Sequence, residues 1–500
     1  MKLTGRQSTL RNIKADCVAV LIHQDKTLFE RELAPIRKLF GKKLDEAIRL
    51  EHFTGKEKSV LTFYTENKIG APRFALIGIG EEKNHSSERL RRAAAAAAKH
   101  ARASRVHHLA LAFPPPVADI PDRDAAKALS EGALLSLYKF DKYFTEKKDQ
   151  DEHVREITLF DDDVKVVKSM KEGIAEARIL CEATILARDL ENAPSNEIYP
   201  ETLADAARQS AALHGYRAQI WDKKRIEQTG FGGLLAVNSG SERPPRFIIL
   251  EHNAAGKDLD TIVLVGKGVT FDTGGISIKP SQSMAEMKMD MSGAAAVIGT
   301  LEAAARLALP IHLVGLIPAT ENMPSGSAMN PGDIIRHFGG KTSEVDNTDA
   351  EGRLILADAL AYASKYNPAA VIDLATLTGA CVVALGSHAT GMMGNDEGVM
   401  AQLKTAGEAT FERVWELPLF EEYEKQIKSD VADVKNVGGR WGGAITAGLF
   451  LKKFIGSYKW VHLDIAGTAI LEEDLPYTPK GGSGVGVRLL IEFLKHWKSS

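Results

Sequence analysis

Thr261-Ile262-Val263-Leu264-Val265 runs straight into Gly266-Lys267-Gly268-Val269-Thr270-Phe271-Asp272-Thr273-Gly274-Gly275, and this passage decides the fold. Five apolar or β-branched residues in a row read as a strand buried on both faces, which is the habit of strands in α/β sheets. The same character returns at Phe247 to Leu250, His312 to Ile317, Ala370 to Leu374 and Val461 to Ile465, with helical stretches such as Gly293 to Leu309 and Arg353 to Tyr366 between them. A βα rhythm of this kind predicts a mostly parallel or mixed sheet flanked by helices. Lys267 and Asp272 then fall just past the carboxyl end of one strand and Thr376 past another, the edge where open α/β sheets place their sites.

Working outward, Asn347-Thr348-Asp349-Ala350-Glu351-Gly352-Arg353-Leu354 packs two acids and a guanidinium among small residues, a poor core and a rich site. With Asp272, Asp290, Lys267 and Lys279 it supplies four carboxylates and two lysines, enough for a pair of hard divalent cations with positive charge to spare for a reacting carbonyl. Taken alone, Asp349 reads equally as a helix cap and Glu351 as a first-turn acid. The glycines around Lys267 suggest a phosphate loop, but their spacing matches neither GxxxxGK[ST] nor GxGxxG. Capping and turn chemistry do not require both clusters at once.

Bulk properties bound the rest. Five hundred residues predict two domains, and 44% apolar with 26% charged residues is the composition of a globular enzyme. A net charge of -3 argues against a generally basic nucleic-acid coat. Cys17, Cys181 and Cys381 lie far apart in apolar surroundings and read as reduced core thiols. The first residues carry no secretory pattern and no run has the length of a membrane span, so cytoplasm and no membrane association are expected. Residues 1–163 read as a small α/β domain without catalytic residues, serving assembly, with strands at Cys17 to Ile22, Phe74 to Gly80 and Val106 to Phe113 and helices at Leu90 to Ala103 and Ser130 to Phe144. Residues 164–500 read as the catalytic domain, with 164–190 as an interdomain helix.

NTDAEGRL at 347–354, GKGVTFDTGGISIKP at 266–280 and Met287-Lys288-Met289-Asp290 together resemble the leucyl aminopeptidase family, the di-metal cytosolic aminopeptidases. Ala187 to Pro194, Glu321 to Gly326, Asp373 to Ala380 and His462 to Gly467 extend the likeness over roughly residues 180 to 495. The resemblance implies an aminopeptidase that releases Leu or other apolar residues from peptides with a free amino terminus. It implies two divalent ions, Zn or Mn, with Asp272 and Glu351 bridging, Asp290 and Lys267 completing one position and Asp349 the other. It further implies attack by a metal-bridging hydroxide, Lys279 polarising the carbonyl, and bicarbonate held by Arg353 as general base. Met287, Thr376, Gly379 and Ala466 would line the first side chain's pocket, with Asn347 and Leu377 also on the substrate. A homohexamer of paired trimers is the implied assembly.

Two rival functions remain at this level. Arg89, Arg91 and Arg92 beside Glu81-Glu82-Lys83 read as solvated faces, but repeated in an oligomer the arginines could bind DNA as an architectural protein. A metal-dependent phosphoesterase would share the carboxylate–metal chemistry. His107, His108, His252, His388 and His462 are not spaced as a ligand set.

Overall fold

The computed structural model describes residues 1–115, 120–146, 154–256 and 258–499. The chain divides into two α/β units, Met1–Glu182 with Asp474–Pro479, and Ala183–Glu473 with Lys480–Ser500. The division falls inside one helix, Val164–Asn192.

In the first unit six strands, β1 (Lys2–Gln7), β2 (Cys17–His23), β3 (Val60–Tyr64), β4 (Arg73–Gly80), β5 (His108–Ala112) and β6 (Glu156–Asp161), form a sheet in the order β1-β6-β5-β2-β4-β3. All pairs are parallel except β3 with β4. The helix expected over Ser130 to Phe144 lies instead at Asp122–Ser136. Its packing uses small residues in place of an apolar stripe: a Cβ on Gly132 would come 1.9 Å from the carbonyl oxygen of Arg91 in the helix Ser87–Ala103. That close approach also corrects the reading of the arginine cluster. Arg91 is only 2% exposed and meets Glu131 at 2.6 Å, while Arg89 and Arg92 both pair with Glu57. The cluster is a set of paired charges, not a solvated basic face.

The second unit carries β7 (Arg217–Trp221), β8 (Arg246–His252), β9 (Thr261–Gly266), β10 (Gly268–Asp272) and β11 (His312–Asn322). A small sheet takes β12 (Ile334–Arg336) and β13 (Thr342–Glu344), and after it come β14 (Ala370–Ala375), β15 (Thr390–Gly394), β16 (Val414–Glu416), β17 (Val434–Lys435) and β18 (Lys459–Asp464). The main sheet is ordered β16-β15-β18-β14-β9-β11-β8-β7, with β10 added on β11, and β17 joins β13. It is mixed. Phe247 to Leu250 belongs to β8, which runs antiparallel to β11, because a buried β-branched run encodes burial and not direction. Gly268 to Asp272, expected just past a strand's carboxyl end, is itself a strand that pairs parallel with β11 through an irregularity between Val269 and Phe271.

The centre of the sheet fixes the site. Ile262, Val263, Leu264 and Val265 are all fully buried, so both faces of β9 are covered. Each such side chain stabilises the fold by roughly 1.5–3 kcal/mol through burial. Val263 and Val265 share a cluster with Leu354, Leu356 and Leu360 of the helix Glu351–Ala363 and with the aromatic group Trp221, Phe231, Phe247 and Tyr362. The carboxyl end of β9 and the amino end of that helix are thereby anchored in one core.

Candidate metal centre and catalytic site

Four chain segments converge at the carboxyl edge of β9, β10 and β14. Lys267 follows β9 directly, is buried, and places Nζ 2.7 Å from Asp290 Oδ1 and 2.8 Å from Glu351 Oε1, donating also to the carbonyl of Thr376 at 3.0 Å. Asp290 closes the short helix Met284–Met289, and Glu351 opens the helix Glu351–Ala363. Asp272 ends β10; its Oδ1 accepts from Gly274 N at 2.9 Å and Asn322 Nδ2 at 2.8 Å, and its Oδ2 lies 2.8 Å from Lys279 Nζ. Lys279 reaches Asp349 Oδ1 at 2.5 Å as well.

Local chemistry explains the tight turn after β10. Gly274 sits at φ +85°, and a Cβ there would meet Ser277 O at 2.4 Å and Asp349 Oδ1 at 2.9 Å, so only glycine lets the two loops touch. Thr348, wholly buried, ties them: its hydroxyl donates to Gly274 O at 2.5 Å and accepts from Ser277 N at 2.8 Å. Asn347 Oδ1 accepts from Asp349 N at 2.8 Å, a side-chain turn that aims Asp349.

The electrostatics are those of a site asking for positive charge. Burial raises the carboxyls of Asp272, Asp290 and Asp349 above the usual range, with neighbouring carboxylates adding to it; the shift at Asp290 is large. Burial opposes charge on Lys267, but Asp290, Glu351 and Asp272 outweigh it and hold the ammonium above the ordinary lysine value. Lys279 behaves alike beside Asp272 and Glu351. Burial lowers the Arg353 guanidinium to about 10 against the opposing pull of Glu351, Asp464 and Asp349.

These residues fit a divalent-cation centre. Oxygen atoms of Asp272, Asp290 and Glu351, all buried, lie within 4.8 Å of one another. Asp290 Oδ2 and Arg353 Nε are buried with no hydrogen-bond partner among the described residues. Hard oxygens converging at that spacing suit a divalent cation. No histidine joins this group among the described residues. His462 is fully buried against Asp373, Nδ1 to Oδ1 at 2.6 Å.

Of the residues expected on the substrate, Thr376 donates to Asp290 Oδ1 at 2.6 Å, and Leu377 N and Ala466 N both donate to Asp464 Oδ1 at 3.2 Å. Gly379 begins the helix Gly379–Leu385, which Thr378 caps, and Met287 is half-buried beside Asp290. Asn347 is half-buried next to the Asp349 turn. Sequence reasoning missed three organisers. Asn436 takes Asp346 N at 2.8 Å and Asn347 N at 3.3 Å on its Oδ1, donates to Asn347 O at 2.7 Å, and offers its carbonyl to Arg353 Nη1 at 2.6 Å. Asp464 holds the loop after β14, with Thr378 Oγ1 donating to its Oδ2 at 2.7 Å. Asn322 joins Asp272 to the carbonyl of Thr348 at 3.1 Å. A His462-to-Gly467 motif pointed near Asp464; nothing in the sequence marked Asn436.

Comparison with known proteins agrees over both units. Residues 185–491 match the cytosol aminopeptidase family, catalytic domain, and residues 19–147 match the same family's N-terminal domain. A probable cytosol aminopeptidase of Geobacter sp. (strain M21) is 49% identical over 444 residues, 89% of each chain. One of Syntrophotalea carbinolica is 46% identical over 488 residues, 97% of each. Among solved structures, a tomato leucine aminopeptidase mutant superposes with a TM-score of 0.88 at 31% identity, covering 99% of this chain and 97% of that one. The bottromycin maturation enzyme BotP in complex with Mn gives 0.84 at 34% identity, covering 96% and 99%.

Proposed function

Because the chain belongs to the cytosol aminopeptidase family, and is an aminopeptidase of that metallopeptidase family, we propose that it removes apolar amino-terminal residues, leucine foremost, from peptides. The observation that carries the finer reading is the gathering of Asp272, Asp290 and Glu351 around Lys267, with Lys279 and Asp349 alongside. We assign Lys267, Asp272, Asp290, Asp349 and Glu351 to holding two divalent ions, Zn or Mn. Bound there, such ions supply Lewis acidity toward the peptide carbonyl and amine and lower the pKa of water.

The chain's own residues do the remainder. Lys279, 22% exposed at its side chain against 4% for Lys267, is the lysine an incoming peptide can reach. Its ammonium donates to the scissile carbonyl oxygen and strengthens as negative charge grows there, a contribution typically worth ~2.7–4 kcal/mol. Arg353 would hold a bicarbonate through its unpartnered Nε, so that a base stands where water must lose a proton. Water's oxygen joins the carbonyl carbon, the C–N bond breaks, and the proton passes to the leaving amine nitrogen. The loop fixed by Asp464 presents Thr376, Leu377 and Gly379, and with Met287, Asn347 and Ala466 these would receive the first residue. Cytoplasmic residence and a hexameric assembly belong to the same proposal, on family resemblance.

Hydrolysis of leucine p-nitroanilide beside its N-acetyl derivative and p-nitrophenyl phosphate tests the reading. Cleavage of the free-amine amide alone is expected. Equal rates on the acetylated amide would remove the exopeptidase assignment, and turnover of the phosphate ester alone would replace it with a phosphoesterase.

A further inference from the structure

The first unit has a cavity of about 320 Å³ that takes no part in the chemistry above. It opens at the carboxyl ends of β2 and β5, two neighbouring parallel strands at which the order of the sheet reverses: the chain leaves β2 toward β3 and β4 on one side and returns through β5 on the other. Such a reversal leaves a crevice beyond the strand ends, where open α/β sheets receive ligands. Its volume lies within the ~300–1,000 Å³ usual for small-molecule sites.

The lining specifies the ligand. Leu10, Ile22, Ile36 and Phe113 give it apolar walls. Two charged side chains of the helix Lys26–Phe40, Arg31 and Glu32, also line it. The Glu32 side chain is 6% exposed, and its oxygens accept from His23 Nδ1 at 2.7 Å and His23 N at 2.8 Å, which leaves acceptor capacity on a carboxylate with about four lone-pair positions. Arg31 is exposed and makes no ion pair or hydrogen bond among the described residues. A simple carboxylate would satisfy Arg31 and leave Glu32 facing an apolar body; a simple amine would do the reverse. A ligand carrying both charges beside an apolar group would engage Arg31, Glu32 and the apolar walls together.

We propose that this cavity binds a free apolar α-amino acid, with its ammonium on Glu32, its carboxylate on Arg31 and its side chain against Ile22, Ile36 and Phe113. That is the product class of the catalytic unit, and the choice of leucine as probe rests on the function proposed above. The cavity would then be a second product site, separate from the metal centre.

The test is hydrogen exchange on the metal-loaded full-length enzyme with L-leucine at about 10 mM, ten times a Kd near 1 mM. A chelating leucine hydroxamate in excess keeps the catalytic site filled. Slowed exchange across 17–40 and 108–115 is expected, with leucinol and 4-methylpentanoate at least about tenfold weaker, as befits loss of a charged contact. Arg31→Gln, at an exposed position, should abolish the protection while leaving turnover of leucine p-nitroanilide unchanged, and Glu32→Gln, which removes the charge and keeps one acceptor oxygen for His23, should weaken it. No protection by leucine, equal protection by 4-methylpentanoate, or protection untouched by Arg31→Gln would each overturn the proposal. Protection in a chain that hydrolyses no amino-acid amide would overturn the peptidase reading instead, and turnover without protection would overturn this one alone.

Discussion

Replacing Gly352 by Ala should disable the site with little effect on the fold. A Cβ at this position would lie 2.6 Å from Lys267 Cε and 2.8 Å from Nζ, where ordinary contact begins near 3.4 Å. The lysine must therefore recede by roughly 0.8 Å, the gap between 2.6 and 3.4 Å. It cannot do so and keep Asp290 at 2.7 Å and Glu351 at 2.8 Å. A displacement of about 1 Å in a catalytic constellation costs on the order of 10²-fold in rate, or about 2.7 kcal/mol. Against this, Ala gains up to ~1 kcal/mol over Gly in a helix, and overpacking costs ~1–3 kcal/mol, so net stability should fall by no more than about 3 kcal/mol. The assay is kcat/KM on leucine p-nitroanilide beside thermal unfolding and metal content. Wild-type turnover would refute the claim that Lys267 must stand where it does. A variant that fails to fold would refute the claim that the flexible lysine end gives way.

Glu351→Gln should lower bound metal at both positions, measured by elemental analysis after dialysis; full metal content with full turnover would sink the bridging role. Lys279→Ala should retain metal and lose ~10²–10³-fold in kcat, as loss of an oxyanion donor does; parallel loss of metal would move Lys279 into the ligand set. Asn436→Ala strips partners from Asp346 N, Asn347 N and Asn347 O, and should cost about 1–3 kcal/mol of stability together with turnover. Denaturant melts that match wild type would show that loop to be held otherwise. Burial pushes the Cys17 and Cys381 thiols up to about 12, so at pH 8 both should resist a thiol reagent until the protein unfolds. Fast labelling of either in the native enzyme would contradict their burial.

The sequence announced what repeats or concentrates and hid what acts singly over distance. Val263 and Val265 advertise a buried strand by type alone, and the acids and lysines of 266–280 and 347–353 cluster too densely to be core. Strand direction was not legible, since β8 and β9 share the same apolar character and run opposite ways relative to β11. The helix Asp122–Ser136 was misplaced because its packing relies on Ala and on Gly132, which leave no apolar period. The arginines at 89–92 looked solvated because two of their three partners, Glu57 and Glu131, are remote in sequence, and Glu88 alone is local. Asn436 lies 89 positions from Asn347, whose loop it clamps, and a lone Asn carries no signal of that kind. Thr348 sat in plain view inside a motif but reads as a small spacer until its hydroxyl is seen joining two loops.

The most direct test of the central claim is turnover of leucine p-nitroanilide by the purified chain after chelation and during stepwise return of Zn or Mn. Activity should vanish on chelation and return as two ions bind per chain, with Asp290→Ala capturing fewer ions and recovering little. Full activity in the chelated protein, or recovery indifferent to Asp290→Ala, would contradict the assignment of this carboxylate cluster to the metals of an aminopeptidase.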